Sequence, residues 1–206
     1  VLADAGSVVE PSVSRAKFDR EVARYRLHER DYRARGWWLL EAEYPKLFFV
    51  MVTPRLKPPA IAFGALFDFT DYDLQPPSLR LVDPFTKVPY APRELPTVLK
   101  RRVPLTAEQI EQARAQGQDV AGAMIEQRMM MWHSDDDVPF FCLPGVREYH
   151  EHPAHTGDPW LLRRGRGEGL IFLLEQLDRY GLAPIVGYQI GVVTDQTQFG
   201  QAEVPT

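Results

Sequence analysis

Cys142 is the sole cysteine of this 206-residue chain, so no internal disulfide framework can hold the protein together. Stability must come from a core instead, and 45% hydrophobic content supports a substantial one. The single thiol fits a reducing compartment, and a cytoplasmic location is expected. Charge of one sign is also lacking. Twenty-four Lys and Arg face 28 Asp and Glu, for a net charge of −4, which removes any global electrostatic argument for nucleic acid or an anionic membrane as partner. No apolar run reaches the length of a bilayer-spanning helix. The opening segment VLADAGSVVEPS has no basic stretch leading into an apolar one, so it does not read as a secretory signal. The phosphate-cradling patterns GxGxxG and GxxxxGK[ST] are absent as well, which argues against a doubly wound nucleotide fold.

What is present begins with a helix signal. Residues 1–13 read as a loose arm, after which Ser14 is placed to cap a helix running to Arg35, with Phe18, Val22, Tyr25 and Tyr32 as its apolar stripe and Gly36 as its stop. Four strand candidates follow: WWLLEAEY, KLFFVMVTP, AIAFGALFDF and SLRLVDP, separated by turn-forming proline segments. Residues 85–103 are proline-punctuated and irregular. Thr106 with Gln109 forms a capping-box signature for a helix ending at Gly117. Helical structure is expected again over DVAGAMIEQRMMMW, with its methionines as core filler, and over EGLIFLLEQLDRY, while IVGYQIGVV offers a last strand. One helix and then a strand meander predicts an α+β fold with an antiparallel four-stranded sheet and C-terminal helices. No repeat or long linker divides the chain, so residues 1–206 are expected to form a single domain.

The scarce residues crowd one segment. Cys142, His150, His152 and His155 fall within FFCLPGVREYHEHPAHTGDPW, with Glu148 and Asp158 among them and His133 just upstream. Thiolate, imidazole and carboxylate are the donors zinc takes, three or four at a time. Residues 138–143 read as a short buried strand carrying Cys142, and Arg147 to His152 as an extended segment. In a strand, Glu148, His150 and His152 would point to one side, and the bend at Pro153 would bring His155 round to the same centre. The candidate metal site is therefore Cys142, Glu148, His150, His152 and His155 within residues 133–160, holding Zn2+, with five donors where four suffice. Each residue has a plainer reading. Cys142 would be a buried free thiol, the histidines surface imidazoles, and Glu148 a carboxylate orienting a histidine or pairing with Arg147 or Arg163. Asp158 would orient a histidine or cap the next turn, and Trp160 would serve as a hydrophobic lid.

The segment CLPGVREYHEHPAHTGDPWLLRR resembles a predicted metal-binding family named for its Cys, Glu, His, His set. That family occurs in bacterial operons with ubiquitin-like proteins, activating (E1-like) enzymes, conjugating-type proteins and JAB-type peptidases. The resemblance implies Cys142 and Glu148 as the first two ligands, with His155 and either His150 or His152 as the last two. More broadly, the chain resembles the ubiquitin-conjugating (E2/UBC-like) fold. The resemblance is carried by the first helix and strand meander, by FDFTDYDLQPPSLRLVDP, by PFFCLP as a strand-end cysteine, and by Trp160 before the helix at 167–180. The departures are a missing His-Pro-Asn tripeptide ahead of Cys142 and a histidine-rich insertion after it.

Three functions stay open on these grounds. The leading one is a zinc-binding, E2-like accessory or partner-binding protein of a bacterial ubiquitin-like conjugation system, whose partners by resemblance are ubiquitin-like, E1-like or JAB-type proteins. The second is a zinc-dependent hydrolase with an open coordination position and Glu148 as general base. The third is a thioester transferase with Cys142 as nucleophile and a nearby histidine as base.

Overall fold

The computed structural model describes residues 9–163 and 169–187. Helix α1 spans Pro11–Leu27, three residues earlier than the expected start at Ser14. A proline in the first turn is pre-set for helical φ, so Pro11 opens the helix. Ser14 lies inside it, fully buried. His28, at φ −122° and ψ 20°, interrupts the helix, and α2 (Glu29–Ala34) resumes it. Gly36, at φ +97°, turns the chain into the sheet, where a side chain could not follow: a Cβ there would lie 2.0 Å from the Val52 carbonyl oxygen.

Strands β1 (Trp37–Glu43), β2 (Lys46–Thr53), β3 (Ala60–Asp68) and β4 (Ser78–Val82) form an antiparallel sheet in chain order. This is the meander expected from the four apolar segments. Short turns between adjacent strands make the antiparallel pairing the simplest solution. Phe49, Met51, Phe63, Phe67, Leu79 and Leu81 bury one face against Phe18, Val22 and Tyr25 of α1. Edge-to-face pairs of Phe18 with Phe69 and of Tyr25 with Phe49, at centroid separations of 5.6 and 5.1 Å, fix that packing. The Tyr25 hydroxyl donates to the Trp37 carbonyl at 2.6 Å, and its burial raises the phenol above its ordinary pKa. On the opposite face Phe48, Val50, Val52 and Val82 form a second buried cluster. Lys87 reaches over the Phe48 ring and pairs with Glu41. Burial on both faces explains why β2 is apolar at consecutive positions instead of alternating.

After the sheet, β5 (Lys100–Pro104) and β6 (Met124–Arg128) pair antiparallel across α3 (Ala107–Ala115), whose Thr106–Gln109 capping box forms as expected. The helix expected over residues 119–132 is thus corrected: residues 119–123 form a turn, and β6 is followed directly by β7 (Met130–Met131), paired with β8 (Phe140–Phe141). The pairing of Ile125 with Val103, and the chance to bond the otherwise unpaired main chain of β5, outweigh the helical preference of Ala, Met, Glu and Gln. Met129 and Met130 do fill the core, whereas Met124 and Met131 are exposed.

The segment 147–152 is also corrected. It is not extended but folds as helix α4 (Arg147–Glu151), followed by a 3-10 turn over Pro153–His155. Helices α5 (Trp160–Arg163) and α6 (Leu170–Leu177) follow, and a wider helical turn continues to Leu182. Leu170, Leu173, Leu174 and Leu177 are all buried against the α1 side of the sheet, as their spacing predicts. Ile185–Gly187 carry no strand, and the rest of the strand expected there lies outside the described residues. Among the described residues no helix is long and apolar enough to cross a membrane.

The junction of α1 with α6 rests on a buried carboxylate. Glu21, only 3% exposed, accepts from the Leu170 amide at 3.2 Å and from Arg24 at 3.1 Å. It therefore does for the α6 N-terminus what a local capping residue does elsewhere. Glu21→Ala leaves that amide unpaired, and equilibrium urea unfolding should show a loss of about 1–3 kcal/mol. Gly169→Ala should also destabilise, because its Cβ would sit 2.7 Å from the Glu21 carboxylate. A Glu21→Ala protein as stable as the parent would remove this junction from the account.

Candidate functional site

Cys142 sits just past β8, and its amide donates to the Met129 carbonyl at 2.8 Å. Met129 in turn donates to the Leu99 carbonyl at 2.8 Å, so the cysteine is fixed laterally by two main-chain steps. Its side chain is half-buried. Burial pushes the thiol above its ordinary pKa, and the positive charge of Arg101 offsets part of that rise. Cys142 Sγ lies 3.3 Å from His155 Nε2. With the thiol protonated, S–H donates and Nε2 accepts.

The placement of His155 follows from how α4 is held. The Arg147 guanidinium donates to the carbonyls of Thr70 and Pro76, and the Arg147 amide donates to Pro77 at 3.0 Å. These contacts dock the first turn of α4 against the loop before β4. Tyr149 then projects toward the 3-10 turn, where His155 stacks on its ring at 3.9 Å between centroids and 19° between planes. The Tyr149 hydroxyl donates to Asp158 at 3.0 Å, and Arg163 pairs with the same carboxylate. Arg163 holds the Asp158 carboxyl below its usual range, while burial, followed by the bond to Asp158, raises the Tyr149 phenol. Cys142, His155, Tyr149, Asp158 and Arg163 therefore form one contiguous chain of contacts.

The remaining candidate donors point elsewhere. His150 Nε2 accepts from the Gly145 amide at 3.1 Å, and its Nδ1 meets the Asp158 carbonyl at 2.8 Å. An amide can only donate and a carbonyl can only accept, so the ring is the Nδ1–H tautomer with both nitrogens in use. Asp158 does orient a histidine, through its backbone. Trp160 covers His150 at 5.8 Å, and its indole N–H donates to the Asp73 carbonyl at 2.9 Å. Glu148 pairs with Arg80 at 3.1 Å and accepts from Ser78, rather than meeting Arg147 or Arg163. Its second oxygen is buried with no hydrogen-bond partner. His152 accepts from the Ala154 amide through Nδ1 and packs beside both His133 and Phe140, 5.7 Å from the His155 ring.

A zinc shell built from the five predicted donors requires three or four of them to converge on one point. Cys142 and His155 fit, since two ligands of a tetrahedral zinc with bonds of about 2.3 and 2.0 Å stand about 3.5 Å apart. His150 and Glu148 do not fit, because the backbone of residues 145 and 158 holds one, and Arg80 with Ser78 holds the other. Among the described residues no group of three His, Cys, Asp or Glu side chains gathers at one point. Sequence spacing placed Glu148, His150 and His152 on one strand face. In a helix, residues two apart diverge by about 200°, and that scatters them. Tyr149 and Arg101 were not foreseen. Tyr149 would have stood out had residues 147–151 been read with helical spacing, whereas Arg101 is brought near by the β5–β6 pairing and had no local signal.

The fold and the site define an α+β protein with one cysteine, set just after a short strand and paired with an imidazole. The chain belongs to the Y4jH-like family, whose model, described as the Y4jH family, matches residues 9–185. It is similar to the "Uncharacterized protein y4jH" of Sinorhizobium fredii (strain NBRC 101917 / NGR234), with 44% identity over 183 residues and 88% of each chain covered. All five candidate donors fall within the matched span.

Burial of the thiol predicts the pH dependence of its reactivity. The raised pKa favours the neutral form in the folded state, so alkylation of Cys142 by iodoacetamide should rise with a midpoint above the ordinary thiol value of about 8.5. In urea the midpoint should return to that value. His155→Ala should slow alkylation several-fold near pH 7.5 and converge with the parent at high pH. A midpoint below the ordinary value in the folded protein would mean that burial does not govern this thiol.

Proposed function

We propose that this protein is a cysteine acyl carrier of the E2-like kind. Cys142 accepts an activated acyl group as a thioester and passes it to an amine, within a ubiquitin-like conjugation system. The observation that carries the reading is the 3.3 Å approach of the sole cysteine to His155 Nε2. It is supported by the order of elements: N-terminal helix, four-stranded meander, cysteine beyond the meander, then helices. The resemblance to E2 proteins supports ubiquitin-like and E1-like proteins as partners.

In the first step, His155 Nε2 takes the proton from Sγ as sulfur attacks the carbonyl of the donor thioester. The carbon–sulfur bond to the donor thiol breaks, and the departing thiolate takes that proton back from the imidazolium. In the second step an amine attacks the Cys142 thioester, an amide bond forms as the acyl carbon–sulfur bond to Cys142 breaks, and the amine proton passes through His155 to the departing Cys142 thiolate. Stacking on Tyr149 keeps the ring aimed at sulfur in both steps. A thiol that stays protonated until a donor arrives is protected from oxidation between turnovers.

The test uses a model peptide thioester incubated with the full chain. A thiol-labile adduct should form on Cys142, vanish in Cys142→Ala, and form at least tenfold more slowly in His155→Ala near neutral pH, the scale of a positioned general base. If mass spectrometry finds no thiol-labile adduct on Cys142, the reading is dropped.

A zinc-binding accessory role is favoured by one observation, the Cys142–His155 separation, which matches two ligands of one metal. Elemental analysis of protein purified without added metal tests it. Stoichiometric zinc lost in both Cys142→Ala and His155→Ala would favour that role, and metal-free protein would sink it. A hydrolase with Glu148 as base gains no comparable support, since Arg80 and Ser78 engage that carboxylate.

A further inference from the structure

The acyl-carrier reading leaves open what leads up to the carbonyl that Cys142 attacks. The approach is closed on one side by α4 and the 3-10 turn, where His155 and Tyr149 pack against each other beside the thiol. On the other side the main-chain steps from Cys142 to Met129 and from Met129 to Leu99 run across three neighbouring segments. Two strand spacings of about 4.8 Å put Leu99 about 10 Å from Cys142.

At that distance a groove of about 400 Å³ opens, lined among others by Thr97, Leu99, Lys100, Arg101, Arg102 and Tyr180. Its wall is the β5–β6 hairpin. Leu99 is fully buried beneath it, while Lys100 and Arg102 stand exposed on one face of β5 and Arg101 faces the other way. The hairpin strands carry four cations, at 100, 101, 102 and 128, against one carboxylate, Glu126. Glu126 pairs with Lys100, and Arg101 bonds the neutral Gln127 at 2.8 Å. The hairpin is therefore locally positive on a chain whose net charge is −4.

We infer that this groove receives the extended terminal tail of the acyl donor, and that the tail is acidic, with carboxylates three or more residues before the reacting carbonyl. An extended peptide advances about 3.3 Å per residue, so three residues span the distance from the thiol to the groove. Acidic side chains would meet Arg102 on the exposed face of β5, while the tail's apolar atoms lie toward Leu99 and Tyr180. Charge complementarity of this kind raises the encounter rate and orients the approach, and salt weakens it.

This inference rests on the acyl-carrier reading, and one experiment separates the two. Peptide thioesters of equal length are prepared with Glu, Gln or Lys at the third to fifth positions before the thioester, and their second-order rates of transfer to Cys142 are measured. The Glu peptide should react on the order of tenfold faster than the Gln peptide at low salt, an advantage that 0.5 M salt should largely erase. Arg102→Glu should abolish the preference for the Glu peptide and favour the Lys peptide. If all three peptides transfer at equal rates, the inference fails while the carrier reading stands. If none transfers, the carrier reading fails and this inference with it.

Discussion

Met129 is the residue through which the site is tied to the rest of the protein. Its amide and carbonyl bond in opposite directions, to Leu99 and to Cys142, and its side chain is fully buried. A buried peptide group with both bonds made resists displacement, since moving it would leave a donor and an acceptor without water. The cysteine consequently inherits the rigidity of the core although it lies in a segment with little regular structure of its own. The groove beside β5 and the thiol are set at a fixed separation by the same two bonds.

The other half of the site is positioned by the arginine of α4. A five-residue helix has little intrinsic stability, and α4 persists because Arg147 bonds three carbonyls of the loop before β4. That anchoring turns Tyr149 toward His155 and Glu148 toward Arg80. A histidine that meets a thiol, and one whose ring nitrogens both bond backbone, then differ by their place relative to this short helix.

This is also where the sequence was least informative. The four-stranded meander, the Thr106–Gln109 cap and the leucine face of α6 could be read directly, because each depends on local pattern and on burial of a continuous apolar face. The pairing of Cys142 with His155 was within reach of the residue types alone. The geometry of Glu148 and His150 was not, since the extended or helical state of residues 147–152 is decided by carbonyls more than 70 positions earlier in the chain. Likewise, residues 124–128 have helix-forming composition and become a strand only because β5 lies unpaired beside them.

The contact between Glu21 and Leu170 joins positions 149 residues apart. During synthesis, α1 emerges long before α6, and its carboxylate has no amide from α6 to bond. Burying an ionised group in that interval is unfavourable, so the α1 side of the sheet stays open to water and to chaperones until the leucine helix arrives. Completion of the core is thereby coupled to the emergence of α6. A stalled or truncated product that ends before residue 170 would expose the apolar face of the meander, and quality-control proteases would meet it in that form.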